Sequence, residues 1–289
     1  MNKHDFVTPG CTTAAAKNTT TALAFKVSEA CVGCGACVKD CAFGVLTMKA
    51  GRPAVREGRE NQCVNCQHCL AVCPQGAVSV NGVDPAACAP LSALPIPPPN
   101  ELANLLMTRR SVRQFTKNDI PRDEIAALLE TLKYVPTGCN VRHLVFRVID
   151  GGARVATLRQ KLMALLDTRE AQLSPTLRGV VLGWRKHPEA DVFFRGATNV
   201  LVVYGNPKAV TPQTDCVAAC AYFDLLAQVN GWGVTWFGFL SQILEQVPEA
   251  ADLFGIPRGA PFHAMLFGDP AVDYARSVNR ADGARLEWA

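Results

Sequence analysis

The pattern of apolar positions changes character twice along the chain. His143–Ile149, Asn199–Tyr204 and His263–Phe267 are short runs rich in β-branched and aromatic residues, and they predict strands. Asn100-Glu101 leading into Leu102–Ser111, and Pro121–Glu124 leading into Ile125–Val135, predict helices. The second places proline and acids in the first turn, where free N–H groups and the helix dipole favour them. A longer apolar helix is predicted from Cys216 to Asn230, ending at Gly231 in the position where a left-handed residue closes a helix. Cys216 and Cys220 sit one turn apart on it and read as core thiols. Residues 101–289 therefore read as one α+β domain. Upstream, residues 24–83 form a compact cysteine-rich segment, and 84–100 a proline-dense linker, either extended or strapped onto the following domain. Residues 1–23, rich in Thr, Ala and Asn, read as a flexible lead-in.

Composition sharpens this division. A chain of 289 residues suits about two domains, and with 49% hydrophobic residues it can bury a sizeable core. The formal charge of +4 treats every thiol as neutral. Metal-bound thiolates would bring the protein near neutrality, and no basic stripe interleaves with aromatics, so nucleic acid is not an expected partner. No stretch of about 18 apolar residues predicts a membrane span. The first residues lack a continuous apolar leader segment, so a reducing cytoplasm is the expected compartment.

Eight of the 13 cysteines fall into two quartets of identical spacing, Cys31-x2-Cys34-x2-Cys37-x3-Cys41 and Cys63-x2-Cys66-x2-Cys69-x3-Cys73, the second followed by Pro74. Three thiolates at two-residue gaps can wrap one cubane, while the fourth, after a longer gap, reaches a second. The expected ligand sets are Cys31, Cys34, Cys37 and Cys73 for one [4Fe–4S] cluster, and Cys63, Cys66, Cys69 and Cys41 for the other. Zinc sites more often use paired C-x2-C units. The segment resembles the bacterial two-[4Fe–4S] ferredoxin, departing from its pattern at Ala42, where proline follows the fourth cysteine.

The second domain has neither a dinucleotide-binding glycine fingerprint nor a P-loop. It does have Arg109-Arg110-Ser111-Val112-Arg113-Gln114-Phe115, a dense set of phosphate donors. Tyr134–Asn140 follows as a helix end and polar loop, and Gly231–Phe239 is a glycine- and aromatic-rich stretch. Together these segments resemble the FMN-dependent nitroreductase family over nearly all of residues 101–289. The resemblance implies a sandwich with a central mixed sheet flanked by helices, and a homodimer with FMN at the subunit interface. It implies that Arg109, Arg110, Ser111 and Arg113 hold the FMN phosphate, with Arg276 or Arg280 assisting. It further implies that Asn140 holds a polar edge of the ring, and that the backbone of Trp236, Phe237, Gly238 and Phe239 faces the hydride-bearing side. Val141-Arg142-His143 and Val234-Thr235 depart from the family pattern on the substrate face.

The combination resembles ferredoxin–nitroreductase fusions. It implies an iron–sulfur flavoprotein whose clusters feed FMN, and an electron-poor small-molecule substrate such as a nitro compound, quinone or activated alkene. The electron donor would be a low-potential one, ferredoxin-type or NAD(P)H-linked. Relatives of the fold also host reductive dehalogenation and flavin fragmentation. A non-catalytic relay to a partner protein is the third reading. No catalytic acid or base stands out.

Overall fold

The computed structural model describes residues 23–289, and the lead-in expected over 1–23 falls, apart from Leu23, outside them. The described chain divides into two compact units. One comprises the residues up to Ile96 together with Pro136–His143 and Lys208–Thr211; the other comprises Pro97–Val135, Leu144–Pro207 and Pro212–Ala289.

The first unit is a structural repeat. β1 (Phe25–Val27), α1 (Ala36–Lys39), β2 (Leu46–Lys49), β3 (Arg52–Val55), α2 (His68–Ala71) and β4 (Val78–Val80) follow in order. β1 pairs antiparallel with β4, and β2 with β3. Each cysteine quartet turns through equivalent left-handed positions: Gly33 and Gly35 in the first (φ 69° and 74°), Asn65 and Gln67 in the second (φ 52° and 61°). The residue at the second of these positions caps a one-turn helix, α1 or α2. Gly33 has a further reason to be glycine, because a Cβ there would lie 2.5 Å from the Gly51 carbonyl oxygen. The central core cluster is small: Cys37, Leu46 and Val78, with Phe25, Val38, Val55, Cys41, Cys69 and Cys73 packed on it. A domain of this size needs a staple beyond its apolar contacts, and several of those core contacts are cysteines.

The second unit contains α3 (Pro99–Thr108), α4 (Arg122–Thr131), β5 (Val145–Asp150), α5 (Gly152–Thr168), α6 (Pro175–Lys186), β6 (Asn199–Tyr204), α7 (Pro212–Val229), β7 (Gly233–Trp236), α8 (Gly238–Gln246), α9 (Ala251–Phe254) and β8 (Phe262–Gly268). The sheet runs β5-β6-β8-β7 with antiparallel pairing throughout, and its parallel element is a single bridge from Ser111 to Val234. Strand periodicity sends alternate residues to opposite faces. Val200, Val202, Ala264 and Leu266 pack with α5, α6, α8 and α9, while Leu201, Val203, Met265 and Phe267 pack with α4 and α7. The result is helices on both faces of a sheet buried on both sides.

The strands at Asn199–Tyr204 and near 145–150 and 262–268 lie where the apolar runs place them, with ends shifted by up to two residues. β7 is a strand that glycine and tryptophan content conceals. Trp184–His187, which in sequence suggests a solvated loop, is the last turn of α6 and its C-cap residue, and Arg185 and Lys186 there complement the dipole. On α7, Cys216, Ala219, Cys220, Phe223 and Ala227 are buried, whereas Tyr222 is half exposed. Burial pushes the Cys216 and Cys220 thiols up to about 12, so both are inert packing groups. Among the described residues no helix is long and apolar enough to cross a membrane.

Two acids of α7, Asp215 and Asp224, are buried as well. Asp224 is 4% exposed. Its Oδ2 accepts from Arg109 Nη1 at 3.0 Å and from the Trp236 indole N–H at 3.3 Å. Oδ1 has no partner among the described residues. Burial raises the carboxyl's affinity for its proton, and Arg109 and the indole pull it back down. The same two segments are joined through the backbone, where the Val112 N–H donates to the Val234 carbonyl at 2.9 Å. Their approach depends on Gly233, because a Cβ there would lie 2.7 Å from Val112 Cγ1 and 3.2 Å from the Phe115 ring.

Two outcomes follow for stability. Gly233→Ala should lower the urea-unfolding free energy by about 1–3 kcal/mol through overpacking, and an unchanged midpoint would show that Val112 and Phe115 yield freely. Asp224→Ala strands the Arg109 guanidinium and the indole N–H, and should cost about 1–3 kcal/mol. Indistinguishable melting of Asp224→Ala and the unaltered chain would contradict that.

Candidate functional site

The first unit gathers its eight quartet cysteines into two pockets. Cys31, Cys34, Cys37 and Cys73 line one, beside Gly35, Pro53 and Pro74. Cys41, Cys63, Cys66 and Cys69 line the other, beside Phe43, Leu46 and Val64. Each pocket thus takes three sulfurs from one repeat and one from the other, because the fourth cysteine of each quartet lies beyond its short helix. Burial pushes up the Cys37 and Cys63 thiols, and takes Cys69 to about 12. Repulsion from pocket neighbours adds to this: Cys73 and Cys34 act on Cys37, Cys66 and Cys41 on Cys63, and Cys66, Cys63 and Cys41 on Cys69. Clustered thiols that oppose one another's ionisation are suited to a cationic core that takes all four as thiolates.

Backbone donors already point at the sulfurs. The Ala77 N–H reaches Cys73 Sγ at 3.2 Å, and hydrogen bonding at the Val38, Asn65 and Leu70 backbone partly offsets the burial that pushes up Cys37, Cys63 and Cys69. Among the described residues no three His, Cys, Asp or Glu side chains converge closely enough for one metal ion. Three sulfurs from one repeat and one from the other is the arrangement that cubane ligation by two such quartets asks for.

Asn140 belongs to the first unit. Its side-chain Nδ2 donates to the carbonyls of Val64 and Asn65, each at 3.0 Å. Its segment is held in an unusual shape, with Cys139, Asn140 and Arg142 all at positive φ (50°, 53° and 51°). An amide carries two N–H donors, and both are engaged here. The expected role of holding a flavin edge is thereby narrowed to the Oδ1 acceptor.

The basic residues expected round a phosphate are not gathered at one point. Arg109 is ion-paired with Asp224. Arg110 folds back on the carbonyls of Met107 and Arg109 and caps the end of α3. Arg113 is exposed and donates to the Ser111 carbonyl at 3.3 Å. Arg276 and Arg280 lie in an exposed C-terminal stretch without regular secondary structure. In the stretch Trp236–Phe239, Trp236 ends β7, and the Phe237 N–H donates to the Ala264 carbonyl. The Phe237 ring lies in the core against Phe194 and Phe254. This leaves Gly238 and Phe239, at the start of α8, as the residues whose N–H groups have no helical partner. Sequence reasoning passed over Asp224, Val64 and Asn65. An acid inside an apolar helix was the one available signal for Asp224, and the carbonyls carried none.

Comparison with known proteins bears on both units. The model of the nitroreductase family matches residues 106–269, and that of a 4Fe-4S dicluster domain matches residues 30–78. The chain is 26% identical over 72 residues to Ferredoxin-3 of a Nostoc species, a match covering 19% of this chain and 74% of that protein. Among solved structures it is similar to a Bacteroides fragilis nitroreductase with bound FMN, at 22% identity and TM-score 0.53, covering 65% of this chain and all of that one. It is similar also to a Desulfitobacterium hafniense nitroreductase with bound FMN, at 20% identity and TM-score 0.51, covering 65% and 99%. At these identities the two structures show a shared fold. With a nitroreductase match spanning more than half its length, and a cysteine-lined dicluster ferredoxin domain ahead of it, the chain belongs to the nitroreductase family.

Proposed function

We propose that this chain is an FMN-dependent oxidoreductase in which two [4Fe–4S] clusters supply electrons to the flavin, and the flavin reduces an electron-poor organic compound. The observation that carries the reading is the presence of two four-thiol pockets in one chain with a nitroreductase domain. The similar nitroreductases with bound FMN support the choice of flavin. When bound, the clusters would handle single electrons, and the flavin would collect two and deliver them as a hydride.

The chain's own residues do the holding. Cys31, Cys34, Cys37 and Cys73 would ligate one cluster, and Cys63, Cys66, Cys69 and Cys41 the other. Ser111 and Arg113 are the phosphate contacts the geometry leaves most available. Asp224 fixes Arg109 beside them, and Arg110 stays close through its cap on α3. Arg276 and Arg280 would approach from the C-terminal stretch. The Gly238 and Phe239 N–H groups would meet the ring from the positive end of α8. A homodimer is proposed on the same basis. The apolar side chains of Leu102, Leu106 and Met107 on α3 are 47%, 55% and 57% exposed, and Val229 on α7 is 69% exposed, which suits a covered face. The reductant would be a low-potential protein or an NAD(P)H-linked donor, in a reducing cytoplasm.

Reduction of the flavin by a low-potential donor should fail in a Cys31→Ala/Cys63→Ala double variant that still retains FMN. Unimpaired flavin reduction in that variant would defeat the proposed route. Removing the guanidinium by Arg113→Ala should weaken FMN retention about tenfold, the loss of one charge-assisted contact. Flavin occupancy equal to that of the unaltered chain after exhaustive dialysis would remove Arg113 from the phosphate site.

A further inference from the structure

We infer that Asn140 is a positioning residue for the second iron–sulfur cluster, acting through the Val64–Asn65 peptide to strengthen an N–H···S hydrogen bond and raise that cluster's potential. The inference rests on the cluster reading above and adds to it a residue outside both cysteine quartets.

The geometry is a short relay. Asn140 Nδ2 donates to the Val64 carbonyl at 3.0 Å. A trans peptide points its C=O and the following N–H in opposite directions. The N–H on the far side of that peptide belongs to Asn65, two residues after Cys63, and is the donor on which the relay would act. The second hydrogen bond from Nδ2, to the Asn65 carbonyl at 3.0 Å, turns the next peptide likewise, so that the Cys66 N–H also faces away from Asn140. A carbonyl that accepts a hydrogen bond polarises its peptide and strengthens the donor at the other end. Donors to cluster sulfurs favour the more negative, reduced state and so raise the potential.

The turn is prepared for this. Asn65 is left-handed (φ 52°), and its side-chain Oδ1 accepts from Asn81 Nδ2 at 3.1 Å. Asn140 is itself left-handed, a conformation that asparagine tolerates, and its N–H donates to the Thr137 carbonyl at 2.9 Å. Thr137 Oγ1 in turn accepts from the Arg142 N–H at 3.0 Å. The strained segment thus aims one amide at two carbonyls of the loop between Cys63 and Cys66.

The test is an EPR-monitored redox titration of the full-length holoprotein. Cys66→Ser, which alters the second cluster alone, identifies its signal. Asn140→Gly removes the amide and keeps the left-handed backbone. It should lower the reduced-to-oxidised ratio of the second cluster about threefold at fixed potential, about 30 mV at 59 mV per tenfold for one electron, and leave the first unmoved. Asn140→Asp, which sets a carboxylate against the carbonyls, should shift it further in the same direction. Unmoved potentials in both variants, or equal shifts of both clusters, would overturn the inference. So would loss of the second cluster from both variants, which would make Asn140 merely structural. Failure of the unaltered chain to show any cluster signal would sink the cluster reading, and this relay with it.

Discussion

Clustered sulfurs that must ionise together repel one another, and the first unit is organised round two such sets. Desolvation and mutual repulsion hold Cys37, Cys63 and Cys69 protonated when nothing positive lies among them. The apolar core beneath is small, its central cluster being Cys37, Leu46 and Val78. A cationic inorganic core would remove the repulsion and link both repeats at once. Each pocket draws its fourth sulfur from the other repeat, so binding a cluster and closing the fold are one event, as in other small metal-stapled domains.

The nitroreductase domain depends on a different kind of constraint. Its sheet is buried on both faces by two apolar clusters. The Asp224 carboxylate adds direction. It ties Arg109, at the end of α3, to Trp236, at the end of β7, and Gly233 lets the two segments meet. A buried ion pair of this sort contributes little net stability, but it is costly to break and it specifies geometry. Here the geometry specified is that of the two segments whose sequences most resemble flavin-contacting motifs.

How far residues alone reveal such a protein depends on the range of the interaction. The grouping of eight cysteines into two pockets follows from local spacing, because a gap of three residues carries the fourth thiol past a one-turn helix. β6 and β8 are legible because a strand buried on both faces must be apolar throughout. β7 is not, since its glycine serves an approach by Val112 that no local pattern encodes. The arginines at 109, 110 and 113 look equivalent in sequence. The structure gives them three different partners: a buried carboxylate, helix-end carbonyls and a local backbone oxygen. Asn140 is the sharpest case, as its partners are main-chain carbonyls, which every residue possesses and no sequence motif marks.

Electron capacity tests the central claim most directly. Anaerobic titration of the purified holoprotein with a one-electron reductant, followed optically and by EPR, counts the centres that share charge. Two cubanes and one flavin predict uptake of about four electrons per chain, two of them by centres with iron–sulfur EPR signals. Uptake of about two, all of it by flavin, with no such signal from a chain whose cysteines are intact, would contradict the account.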